Sequence, residues 1–308
     1  METSNLELYQ FTSAFPVILM GLMAALLLSP AALRLSRRLG LLDDPGSSMH
    51  KAHHAATPMG GGIVIASALL VSALWFQWFK SVQVLGILLA GAVVFAFGLW
   101  DDLRGLGAPR KLVGQGLATL LLMLTGTQVL LFTNNALNVA LTLIWVVGVI
   151  NAFNFVDSMD GLALGLGAIA AAFFMMVTVE SSQPELSALS AAILGTSIGF
   201  YLFNVMPARM FLGDSGSQLL GLVLASVGIA YNPVGLERLS SWFVPILVLG
   251  IPILDTTLVV VSRLRGRRPI YKAGRDHTYH RLAQLGLEPS QAVAAMHIAA
   301  VALGIIAF

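Results

Sequence analysis

Asp101 and Asp102 stand side by side at the end of a long apolar run, with Lys111 nine residues further on. A carboxylate at the edge of an apolar environment costs free energy unless a cation, a hydrogen-bond donor or water compensates it. Adjacent helical residues point about 100° apart, so one carboxylate can serve chemistry while the other orients it. A short hairpin would carry the Lys111 ammonium back to the pair and make a corner suited to phosphate. The alternative is a solvated helix end.

Three further groups have comparable chemistry. Asn154, Asp157 and Asp160 are spaced by three, which puts them near one face if a helix runs through Asn154 to Leu162. Hard oxygens on one stripe suit magnesium, which takes one or two protein ligands and leaves the rest to water and substrate phosphates. Asp160, followed by Gly161, could equally cap the next helix. Asp214 lies in Gly-Asp-Ser-Gly-Ser just before an apolar run, an anion or metal corner or else a turn and cap. His277 and His280 sit among Arg268, Lys272, Arg275 and Arg281, a density of donors suited to a diphosphate, to an anionic lipid or to topology alone. His50, Lys51, His53 and His54 form a second such cluster. With Asp so abundant beside these His residues, zinc is not the metal they suggest. Asp255, within an apolar run, is either functional or paired with a loop Arg or His. His297 and the glycines near 60–62 and 165–167 read as packing positions.

The elements that must position these groups are hydrophobic. The chain has 308 residues, 57% of them hydrophobic and 10% charged, against about 25% charged in soluble domains. Ten apolar stretches fall at about 14–34, 58–79, 82–100, 112–132, 137–153, 161–179, 186–204, 216–232, 241–262 and 291–307, each near the length that crosses a bilayer. The expected fold is an all-α integral membrane protein of about ten transmembrane helices, one polytopic domain over residues 1–308, with the first apolar run retained. Of all its Lys and Arg residues, only Lys80 and Arg238 fall in loops after even-numbered stretches. That asymmetry puts the odd loops in the cytoplasm and both termini outside. All five polar segments then lie at cytoplasmic loops. There is no cysteine, so disulfides and thiolate metal sites are excluded.

In this order and on this side, the segments Asp43–Gly62, Trp100–Lys111, Asn151–Gly165, Phe211–Ser217 and Arg268–Leu282 resemble those of the polyprenyl-phosphate N-acetylhexosamine-1-phosphate transferases. The resemblance covers nearly the whole chain. It implies that Asp101 and Asp102 bind or deprotonate the lipid phosphate and that Lys111, His277, His280 and Arg281 hold phosphates. It also implies that Asn154 and Asp214 hold magnesium, with manganese as a substitute. Lys51, Asn151, Asp157 and Asp160 fall where the nucleotide sugar is contacted. Tyr279 stands where many relatives have another His, and Ser158 replaces a usual glycine. The His-x-x-His-Arg form and the Lys51-x-His53 element are more similar to the N-acetylglucosamine-1-phosphate branch than to the muramoyl-pentapeptide branch.

The implied reaction moves a HexNAc-1-phosphate, here GlcNAc-1-phosphate, from a UDP-amino sugar to polyprenyl (undecaprenyl) phosphate, releasing UMP as the first membrane step of a cell-surface glycan. A phospho-aspartate route and a muramoyl-pentapeptide donor stay open. The implied place is the inner membrane, with the site facing the cytoplasm. A homodimer is compatible with the family and no nucleic-acid partner is expected. Outside the enzyme class, a secondary transporter or lipid flippase would also carry polar residues beside spans, but near the bilayer midplane.

Overall fold

The computed structural model describes residues 2–43, 56–233, 235, 237–269, 274 and 276–308. These residues are almost entirely helical: α1 (Glu2–Leu39), α2 (Gly61–Trp75), α3 (Val82–Arg104), α4 (Ala108–Leu124), α5 (Asn135–Val156), α6 (Leu162–Glu180), α7 (Pro184–Asn204), α8 (Gly213–Ala230), α9 (Arg238–Ser241), α10 (Phe243–Val248), α11 (Gly250–Arg265), α12 (Thr278–Gln284) and α13 (Pro289–Ala307). The starts have local causes. The Ser81 hydroxyl accepts from the Val84 N–H, the Asn134 side chain accepts from the Ala136 N–H, and Glu288 and Gln291 form a capping box. Pro109, Pro184 and Pro289 lie in first turns, where a missing N–H costs nothing.

Among the described residues, six helices are long and apolar enough to cross a membrane: residues Thr12–Leu39 of α1, then α3, α5, α6, α7 and α13. The expected count of ten thus stands at six by length and composition, or seven if a bent pair counts as one span. Helix α2 has 15 residues and α4 has 17. The expected fourth stretch ran on to 132, but α4 stops at Leu124 because Gly126 turns left-handed, with φ +90°. The expected ninth span, 241–262, is not continuous. It breaks at Leu249, and the two arms of α10 and α11 meet at 79°. Pro245 and Pro252 flank the break and each removes a helical N–H. Gly250 fits the elbow against α13, since a Cβ there would lie 2.8 Å from Leu303 Cδ1.

Helix α8 is the axis of the bundle. Every residue from Ser215 to Gly228 is buried, and α2, α3, α5 and α6 pack around it. Its entry is tied to the start of α2. A two-residue ladder pairs β1 (Leu42–Asp43) with β2 (Thr57–Pro58). Phe211 N–H then donates to the Pro58 carbonyl at 2.8 Å, and the Gly61 and Gly62 N–H groups donate to Phe211 and Leu212 carbonyls, each at 3.0 Å. Glycines bring backbones into contact here. A Cβ on Gly62 would lie 2.7 Å from Gly216 N, and one on Gly98 would lie 2.5 Å from Ser215 Cα. Gly165 makes room for the His297 ring, whose Nε2 lies 3.2 Å from the Leu162 carbonyl, so both are packing positions.

Candidate active site

Four helix ends meet at one point. Helix α3 ends at Arg104, and Gly105, with φ +66°, turns the chain so that α4 starts only four residues later. This hairpin returns Lys111 to Asp101, with Nζ 2.5 Å from Oδ2. The same ammonium donates to the Asp214 carboxylate at the start of α8. Asp101 Oδ1 accepts from the Leu106 N–H and so also closes the turn.

Asp102 has a different task. Its Oδ1 accepts from the Asp214 N–H at 2.8 Å, and its Oδ2 accepts from the Ser215 N–H at 3.1 Å and the Ser215 hydroxyl at 2.6 Å. It caps α8 from another helix, taking up N–H groups that have no partner within α8. Gly213 makes the seat: its φ is +74°, and a Cβ would lie 3.0 Å from Asp102 Oδ2. Of the adjacent pair, Asp102 orients and Asp101 faces the cation.

Helix α5 ends at Val156, so Asn154, Asp157 and Asp160 do not share one helical stripe. The Asn154 NH2 donates to Ser217 Oγ at 3.0 Å. Its carbonyl oxygen accepts no hydrogen bond among the described residues, and its amide lies against Asp214. Asp157 caps the end of α5, and its carboxylate likewise accepts no hydrogen bond among the described residues. Asp160 is not the cap of α6, which starts after left-handed Gly161; its Oδ2 accepts from the Ala208 N–H at 2.9 Å. Asn151 lies one turn deeper. Its NH2 hydrogens go to Gln115 Oε1 and the Val147 carbonyl, and its Oδ1 accepts from Gln115 Nε2 at 3.5 Å.

A separate wall comes from α11 and α12. Asp255, fully buried, has Oδ2 2.8 Å from His277 Nδ1, while its Oδ1 accepts from the Thr278 N–H at 2.6 Å. Facing a carboxylate, Nδ1 is the ring nitrogen that carries a proton toward Asp255. His277 stacks on Tyr279 with centroids 5.5 Å apart and meets the edge of Phe155, between Asn154 and Asp157, at 6.4 Å. Asp255 is thus the orienting partner of a loop His. His280 lies 6.3 Å from His277, ring to ring. Arg281 Nε donates to the Asp276 carbonyl, and Arg263 and Arg268 bind the Asp276 carboxylate. Burial alone would raise Asp276; the hydrogen bonds from Arg268 and Arg263 outweigh it and hold that carboxyl below its usual range. Arg268 therefore braces the loop. Lys51, with His50, His53, His54, Lys272 and Arg275, lies outside the described residues.

Among the described residues, no three His, Cys, Asp or Glu side chains form a metal cage. The donor set does fit magnesium, which needs few protein ligands. Asp214 supplies a carboxylate, Asn154 an oxygen without a hydrogen bond among the described residues, and one ammonium faces two carboxylates. Burial pushes the Asp157 carboxyl well above its usual range, and the negative charges of Asp214, Asp102 and Asp160 push it further. A carboxyl raised on folding contributes stability at low pH and loses it as pH rises through its folded pKa. Asp157→Asn should therefore raise the melting temperature of the metal-free protein at about pH 8 and leave it nearly unchanged at about pH 4. Melting curves at the two pH values check this; an equal shift at both would sink it.

Sequence reasoning named the charged members of this cluster but not Gln115, Ser215, Ser217 or Gln218. The two serines lie inside the Gly-Asp-Ser-Gly-Ser motif, where their spacing from Asp214 was the available signal.

Residues 84–232 match the family model described as "Glycosyl transferase family 4". The decaprenyl-phosphate N-acetylglucosaminephosphotransferase of Mycobacterium tuberculosis (strain ATCC 25618 / H37Rv) is 32% identical over 311 residues, covering 89% of this chain and 76% of the relative. The probable undecaprenyl-phosphate N-acetylglucosaminyl 1-phosphate transferase of Bacillus subtilis (strain 168) is 28% identical, covering 91% of this chain and 80% of the relative. The phospho-N-acetylmuramoyl-pentapeptide-transferase of Halalkalibacterium halodurans is also 28% identical, at 86% and 88% coverage. With a 32% identical relative aligned along most of both chains, and the matched region carrying Asp101, Lys111, Asn154 and Asp214, the chain belongs to glycosyl transferase family 4.

Proposed function

We propose that the protein transfers N-acetylglucosamine-1-phosphate from UDP-N-acetylglucosamine to undecaprenyl phosphate in the inner membrane, leaving a lipid-diphosphate-sugar and UMP. The observation that carries this is the meeting of Asp101, Lys111, Asn154 and Asp214 from four helix ends, an arrangement of cation, carboxylate and amide suited to two phosphates. The names of the Mycobacterium and Bacillus relatives support the acceptor and the sugar. Charge asymmetry supports ten spans with the termini outside and this cluster at the cytoplasmic face.

Both substrates are anionic and repel one another. Lys111 holds a phosphate oxygen between Asp101 and Asp214, and the His277, His280 and Arg281 wall faces the remaining oxygens. Asp101, turned toward the cation, keeps the lipid phosphate ionised. A lipid phosphate oxygen forms a bond to the donor's β-phosphorus, the bond from that phosphorus to the bridging oxygen breaks, and UMP leaves with that oxygen. Asp102 takes no part in bonding and holds the start of α8. Asp157 and Asp160, with Lys51, bound the nucleotide-sugar side. Magnesium, held by Asp214 and Asn154, would supply charge neutralisation on the diphosphate.

The test is UMP release by purified protein in detergent with undecaprenyl phosphate, UDP-N-acetylglucosamine and magnesium. UMP is expected only with lipid present and should vanish with a chelator. Release from a different UDP-amino sugar alone would overturn the donor. No release from any would overturn the reaction and favour transport.

A further inference from the structure

One helical turn below the Lys111, Asn154 and Asp214 cluster lies a layer built only of carboxamides. Gln115 follows Lys111 by four residues on α4, Gln218 follows Asp214 by four on α8, and Asn151 precedes Asn154 by three on α5. Such spacings keep the upper and lower members on one helix face, so the same three helices supply both layers. Gln115 Nε2 donates to Gln218 Oε1 at 3.2 Å, and Asn151 Nδ2 donates to Gln115 Oε1 at 2.7 Å. Gln115 and Gln218 are both 1% exposed, and Gln218 Nε2 is buried with no partner among the described residues.

Cohesion does not explain this layer. Hydrogen bonds between such side chains add little to helix association, and an orphaned buried N–H opposes folding, whereas three leucines would pack without either problem. What the amides provide is direction, because a hydrogen bond has a fixed length and angle and an apolar contact can slide. Gln115 is the hub, bonded to both other helices. We propose that Gln115 is a positioning residue that locks α4, α5 and α8 in the register placing Lys111 between Asp101 and Asp214. Its consequence for turnover rests on the transferase reading; its consequence for the environment of Lys111 does not.

The test uses the full chain in detergent, as Gln115→Leu and as the paired exchange Gln115→Asn with Asn151→Gln, which restores the combined reach between α4 and α5 and leaves the bond to Gln218 short. Acylation of Lys111 by an amine reagent is followed by mass spectrometry, with Lys80, exposed at the far end of α3, as internal control. Gln115→Leu should raise the Lys111 rate at least about 3-fold with Lys80 unchanged, and lower kcat about 10-fold with KM for the UDP-sugar within about 2-fold. The paired exchange should move both readouts back toward wild type. Wild-type labelling of Lys111 in Gln115→Leu, or a parallel rise at Lys80, would overturn the proposal. If the wild type releases no UMP from any donor, the transferase reading fails, while the labelling still decides the positioning role.

Discussion

Lys111→Met should lower the turnover of UMP release by about 10²- to 10³-fold, the scale of removing one preorganised donor from a site of developing charge. Methionine keeps an apolar stem of similar length, so what is lost is the ammonium. That group is the only cation among the described residues in contact with both Asp101 and Asp214. Without it, two carboxylates on different helices face each other with no cation between them. Breaking one side of a fully buried ion pair costs about 3–5 kcal/mol. Here the side chains of Lys111, Asp101 and Asp214 are 21%, 12% and 27% exposed, so water takes up part of the charge and the stability loss should be smaller. Kinetics and melting curves on the same preparation separate the two effects. A variant that melts like wild type yet turns over within about 3-fold of it would remove Lys111 from the chemistry.

Asp214→Ala should lose activity on the same scale, about 10²- to 10³-fold, and with it the response to added magnesium. The carboxylate has two functions, one as partner of Lys111 and one against the side-chain amide of Asn154. Asp214→Asn keeps an oxygen but not the charge and should be nearly as inactive. The Asp214 N–H held by Asp102 belongs to the backbone and survives both changes, so the start of α8 should stay seated. A magnesium titration of UMP release is the measurement. Normal turnover with normal magnesium dependence in Asp214→Ala would refute the assignment.

The parts of this site that sequence reasoning could reach are those with a local cause. The hairpin returning Lys111 to Asp101 spans ten residues and is announced by Gly105, Gly107 and Pro109 between apolar runs. Apolar stretches are legible because the bilayer imposes length and hydropathy. The break at Leu249 was hidden because Pro245 and Pro252 sit in a run whose hydropathy stays high, and hydropathy is blind to direction. The stripe expected through Asp160 failed at Val156, since three-residue spacing says nothing about whether a helix continues. Distant pairs were out of reach. Asp102 with Ser215, and Gln115 with Gln218, are joined by packing alone, and an amide inside an apolar pattern leaves no trace in the periodicity.

The cross-helix cap gives the site an order of assembly. As the chain is made, α3 and α4 emerge together, and Asp101 meets Lys111 within a single hairpin. One carboxylate therefore has its cation while everything from α5 onward is still unsynthesised. Asp102 has to wait for Asp214 and Ser215, 112 and 113 residues later, after α5, α6 and α7 have been laid down. Until α8 arrives, the end of α3 carries a charged group with nothing to hold. When α8 docks, that group becomes the fixed point of the bundle's central helix, with the His277, His280 and Arg281 wall still to follow on α11 and α12.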